Sequence, residues 1–99
     1  MDGIYSPPMT RTRSPQLDAQ LFGEIFRTLR EQRGWTITTC ARRLGISRTH
    51  LGVLEAGRNM PSVEFLLEFA DTFSIAPSTL MHAFEEGRKA ARESVATAE

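Results

Sequence analysis

The stretch ARRLGISRTHLGVLEAGR, residues 41–58, contains two short apolar patterns separated by Gly45, Ile46 and Ser47. Before the break, Ile37, Cys40, Ala41 and Leu44 recur at helical spacing; after it, Leu51 and Leu54 do the same, with Val53 beside them. Glycine ends a helix because it enters the left-handed region without a Cβ clash, and serine starts one by accepting a backbone N–H. Two helices joined by so tight a turn have the chain geometry of a helix-turn-helix. In that unit the first helix crosses a nucleic-acid backbone and the second lies in the major groove, its first turn on base edges. Here the second helix begins Arg48-Thr49-His50, polar and cationic, and turns apolar only at Leu51. A helix N-terminus also favours phosphate through its free N–H groups and its dipole.

On the N-terminal side, Asp18 offers an N-cap to a helix carrying Leu21, Phe22, Ile25, Phe26 and Leu29 on one face, stopped by Gly34. Thr36 caps the helix that follows, ended by Gly45, and Ser47 caps the next, running to Ala56 and ended by Gly57. Ser62 opens a fourth helix with Val63, Leu66, Leu67, Phe69, Ala70 and Phe73 on a broad apolar face. A fifth follows Ala76-Pro77-Ser78, with Leu80, Met81 and Phe84 on one side. No segment alternates as a strand does, so the expected fold class is all-α, with five helices. The expected organisation is a flexible, Pro- and Ser/Thr-containing arm over 1–16, a helix-turn-helix domain over 17–87 and a charged, alanine-rich tail over 88–99.

The chain has 99 residues and a net charge of zero, enough material for one small core. The zero conceals a division. From Arg27 to Arg58 there are seven arginines against Glu31 and Glu55, a local +5, which the rest of the chain offsets with −5. Screening confines such fields to roughly 10 Å, so this segment either faces phosphate, with Arg43 and Arg58 among its contacts, or is a solvated arginine-rich surface. Arginine suits the first role through its bidentate fit to phosphate and guanine.

Other function classes find little support. A catalytic reading needs a nucleophile, a base and an orienting acid, and the two histidines, His50 and His82, fall in different helices. Cys40, His50 and His82 lack ligand spacing, so neither a metal nor another cofactor is expected, and no small-molecule ligand suggests itself. A lone cysteine cannot form an internal disulfide, and no apolar run is long enough for a membrane span or secretory leader; a cytoplasmic location is the expectation. Trp35 and the stripe of Phe22, Phe26, Phe69 and Phe73 read as core aromatics.

The segments LREQRGWT, ARRLGIS, THLGVLEAGRNMPS and LLEFADTFSIAPSTL, within residues 22–84, together resemble the lambda-repressor-like helix-turn-helix family of Cro, phage repressors and restriction-modification controllers. The resemblance implies double-stranded DNA as the partner. It places Ser47, Arg48, Thr49 and Val53 toward the groove, His50 and Arg58 toward phosphates, and Thr36 near the backbone. It also implies a structural ion pair between Arg30 and Glu55. The chain departs from the pattern at Ile37, where a phosphate-contacting glutamine is usual, at Cys40, where leucine is usual, and at Ile25 and Phe65, often polar. Gly52 interrupts the recognition helix at a cost of about 1 kcal/mol relative to alanine.

Two functions follow: a transcriptional regulator binding its operator as a homodimer, or an antitoxin that binds a toxin and regulates its own promoter, using the arm or the tail for its partner. One helix-turn-helix reads few bases, and a symmetric dimer solves this with one self-complementary patch per chain. Phe65, Leu80, Met81 and Phe84 are the expected interface, with Phe84 as an exposed aromatic beside Glu85 and Glu86. Leu80 could instead be internal.

Overall fold

The computed structural model describes residues 14–98, with side chains described through Ser94. Most of the expected arm lies outside the described residues. Five helices follow in order, α1 (Pro15–Gln32), α2 (Ile37–Leu44), α3 (Arg48–Glu55), α4 (Val63–Thr72) and α5 (Pro77–Ala98), and no strand occurs among the described residues. The five-helix, all-α expectation is met.

Four starts use one device. The hydroxyls of Ser14, Thr36, Ser47 and Ser62 accept the backbone N–H three residues on, at 3.2, 3.1, 3.0 and 3.0 Å. The first corrects the expected Asp18 cap. Ser14 caps α1, with Pro15 where its missing N–H costs nothing, and Asp18 falls a turn inside. Asp18 is 2% exposed and meets Arg88 of α5, Nε to Oδ1 3.7 Å. Four helix ends also match: Trp35, Ile46, Arg58 and Ile75 each donate a backbone N–H to the carbonyl five residues back, wrapping the last turn. The residue preceding each has positive φ, glycine at 34, 45 and 57 but Ser74 after α4.

All six phenylalanines join one core. Phe84 stacks on Phe22 (4.1 Å, 7°), Phe22 on Phe26, and Phe26 meets both Phe65 and Phe69; Phe69 stacks on Phe73 (4.2 Å, 12°). Leu51, Leu54 and Leu80 are buried with them, and Cys40 is fully enclosed, where burial raises its thiol pKa and keeps it neutral. This corrects the expected exposure of Phe84. Phe84 is 9% exposed, because α5 lies along α1 and lays the ring flat on Phe22. Phe65 and Leu80 are likewise buried within the chain, and Met81 alone of the four is exposed.

Helix α5 runs past Gly87 to Ala98, so residue 87 is not a helix end. Gly87 is instead a close approach: a Cβ there would lie 3.0 Å from Leu21 Cδ2. The alanine, arginine, lysine and glutamate that follow are strong helix formers. No described helix is long and apolar enough to cross a membrane, and no group of three or more His, Cys, Asp or Glu among the described residues could hold a metal ion.

Candidate nucleic-acid interface

Helices α2 and α3 are joined through Gly45, at φ +74°, and Ile46, whose side chain packs against the core. Leu51, Leu54 and Glu55 turn inward from α3. The same helix therefore leaves Ser47, Arg48, Thr49 and His50 exposed at its first turn and Val53 half-buried one turn on. All five sequence-predicted residues of this helix and its cap thus lie at its outward side or start. The Ser47 oxygen is committed to the His50 N–H, which leaves its hydroxyl hydrogen for an outside acceptor.

Backbone proximity seats α3. A Cβ on Gly23 of α1 would come within 2.5 Å of the Glu55 carbonyl oxygen, and one on Gly57 within 2.7 Å of the Gln20 Cα. Only glycine allows α1 to lie this near the end of α3. The ion pair then locks the contact: Arg30 Nε and Nη2 donate to the two Glu55 carboxylate oxygens at 2.7 and 2.9 Å, and Nη1 donates to the Trp35 carbonyl at 2.9 Å. Hydrogen bonding to Glu55 raises the Arg30 pKa above its ordinary value, against the opposing effect of burial. The pair expected from the family resemblance is present, and it is structural.

The remaining predicted residues occupy the surrounding surface. Thr36 caps α2, and its hydroxyl also meets that of Thr39 at 3.1 Å. Arg58 is exposed just beyond α3. Arg43 is exposed, but its guanidinium lies over the Trp35 ring at 4.6 Å. From α1's end, Arg33 also approaches Trp35, at 5.5 Å, and donates to the Phe73 carbonyl. Sequence reasoning missed this arrangement, in which Trp35 holds cations at the end of α1 and along α2. The available signal was an aromatic directly after a helix-ending glycine in an arginine-rich segment. Ile37 also finds a role: it packs partly buried against the core, and a Cβ on Gly52 would touch its Cδ1 at 3.8 Å.

A family profile described as a helix-turn-helix domain matches residues 21–82. An uncharacterized HTH-type transcriptional regulator of Bacillus subtilis, YazB, is 33% identical over 64 residues, 65% of this chain and 93% of that protein. The Escherichia coli HTH-type transcriptional regulator SutR is 30% identical over 63 residues, 64% of this chain but 35% of its own length, so the match spans about a third of that relative. Among solved structures, the restriction-modification controller protein C.AhdI of Aeromonas hydrophila superposes with a TM-score of 0.60 at 32% identity, covering 64% of this chain and 96% of that one. The clp gene regulator ClgR of Corynebacterium glutamicum gives 0.71 at 23% identity, covering 86% and 93%, a likeness of fold. With the profile spanning well over half of its length, the chain belongs to the helix-turn-helix domain family.

Proposed function

We propose that this protein is a sequence-specific, duplex-DNA-binding transcription regulator that acts as a homodimer on an operator of two half-sites. The observation that carries the reading is the division of α3: Leu51, Leu54 and Glu55 fix it to the domain, while Ser47, Arg48, Thr49 and His50 remain exposed at its first turn. Arg48 and Thr49 read base edges, Val53 offers an apolar contact, and His50, Arg58, Arg43 and Thr36 engage the backbone. The similarity to two HTH-type transcriptional regulators and to a restriction-modification controller protein supports gene control as the output. Dimerisation supplies the second recognition helix, one helical turn of DNA away. With Phe65, Leu80 and Phe84 enclosed, Met81 on α5 and the exposed Val63 and Leu67 on α4 become the candidate interface.

Selection of bound sites from random duplexes, followed by titration of Arg48→Ala on the selected operator, tests this. The expected loss is about 1–3 kcal/mol, with relaxed preference at one base position per half-site. Unchanged affinity and unchanged preference would overturn the assignment of α3 as the reading helix.

A further inference from the structure

Trp35, half-buried between the end of α1 and the start of α2, gathers two guanidinium groups on its ring. That of Arg43 lies 4.6 Å from the centroid and that of Arg33 5.5 Å, so the two stand at most about 10 Å apart, close enough to repel through 0.1 M salt. Neither forms an ion pair with a carboxylate among the described residues, whereas Arg30 and Arg88 do. Both are nonetheless held. Arg33 donates to the Phe73 carbonyl and lies 5.0 Å from the Phe73 ring as well. The indole is fixed in turn: its ring meets Phe73 at 5.0 Å, and the Trp35 carbonyl accepts from Arg30, the guanidinium that also grips Glu55 at the end of α3. The ring attracts each cation, but two positive charges on one ring oppose each other, and an anion within reach of both removes that opposition.

We infer that Arg33, Trp35 and Arg43 form a clamp for a phosphodiester group of the DNA backbone, with Arg33 as a contact and Trp35 as the positioning residue. The inference rests on the reading of α3 as a DNA-binding helix. Two observations favour phosphate over a protein carboxylate. Seven arginines between residues 27 and 58 face two glutamates, of which Glu55 is already taken by Arg30, and so large a local excess draws a polyanion. Thr36, next in the chain, caps α2, the helix that crosses the backbone in a bound helix-turn-helix. Both arginines remain exposed there, and Arg43 donates to no described residue, so its fork of N–H groups is open to phosphate oxygens.

The test compares Arg33→Ala, Arg43→Ala and Trp35→Leu with the parent on an operator obtained by selection, after each has been checked for cooperative urea unfolding. Arg33→Ala should flatten the salt dependence of binding by about one unit of slope. On duplexes carrying one neutral methylphosphonate at a time, the parent should lose affinity at particular linkages, and at one of these, or at two neighbours, both arginine variants should lose nothing further. Trp35→Leu keeps both charges but frees them, so it should weaken binding, and Arg43→Ala made in that background should cost at least about twofold less in affinity than in the parent. A tryptophan that serves only the core would lower the urea midpoint and leave that increment unchanged. If Trp35→Leu does not unfold cooperatively, Trp35→Phe, whose ring attracts cations less, carries the same comparison. An Arg33→Ala chain that overlays the parent in slope and linkage scan, or an Arg43→Ala increment equal in both backgrounds, overturns the clamp; it falls alone if Arg48→Ala still relaxes base preference. A parent that selects no duplex overturns the reading of α3 and the clamp with it.

Discussion

Two glycines, one packed against α3 and one within it, carry opposite consequences. At Gly23 a methyl group would drive into the Leu54 and Glu55 carbonyls, which as backbone cannot rotate away, so Gly23→Ala should cost about 1–3 kcal/mol. At Gly52 the same methyl meets Ile37 at an ordinary contact distance, and the helix gains alanine's propensity. Gly52→Ala is therefore expected to stabilise by up to about 1 kcal/mol, read as a raised urea midpoint at constant slope. If operator affinity falls while stability rises, Gly52 is retained for close approach to DNA. The arginines need a different measurement. Arg58→Ala and Arg43→Ala should each flatten the salt dependence of DNA binding by about one unit of slope, if each neutralises one phosphate. Arg43→Lys keeps the charge but loses the guanidinium over the Trp35 ring, so it should preserve the slope while weakening binding. Superposition of all three titrations on the parent would reduce these arginines to a solvated surface.

The helices were largely legible because their signals are local. Thr36, Ser47 and Ser62, with Gly34, Gly45 and Gly57, mark starts and ends without reference to the rest of the chain. Where local reading failed, two candidates competed within a few residues: Ser14-Pro15 sits among prolines and serines and reads as arm, while Asp18 is an equally acceptable cap by type. Helix α4 ends without glycine, and Ser74 adopts φ +56° in its place. That conformation burdens any residue with a Cβ, and Ile75 must still close the turn onto the Ala70 carbonyl. Ser74→Gly is thus expected to stabilise by about 0.5–1 kcal/mol after allowing for glycine's greater freedom in the unfolded chain. Chemical denaturation checks it, and a destabilised variant would mean that the serine hydroxyl contributes more than the strain costs.

At the scale of the whole molecule, periodicity says which face of a helix is apolar but not which neighbour covers it. Phe84 and Phe22 are far apart in sequence and stack only because α5 lies along α1; the Arg88–Asp18 contact arises from the same packing. Neither contact is encoded in a local pattern, so an aromatic beside two glutamates read as a surface group. The outward start of α3 was legible because caps and inward leucines fix its rotation, whereas the dimer surface depends on what remains uncovered after packing. Phe84→Asp is accordingly expected to unfold the domain rather than dissociate it, since a carboxylate replaces a buried stacked ring at a cost of at least about 3–5 kcal/mol, comparable with the stability of a small domain. Met81→Asp and Leu67→Asp alter exposed positions and should retain helicity and cooperative melting. If α4 and α5 supply the symmetric patch, sedimentation equilibrium should show these two variants shifted to monomer, with weakened operator binding. A Phe84→Asp chain that remains folded and monomeric, beside Met81→Asp and Leu67→Asp chains that remain dimeric, would move the interface to the end of α5 nearest that ring.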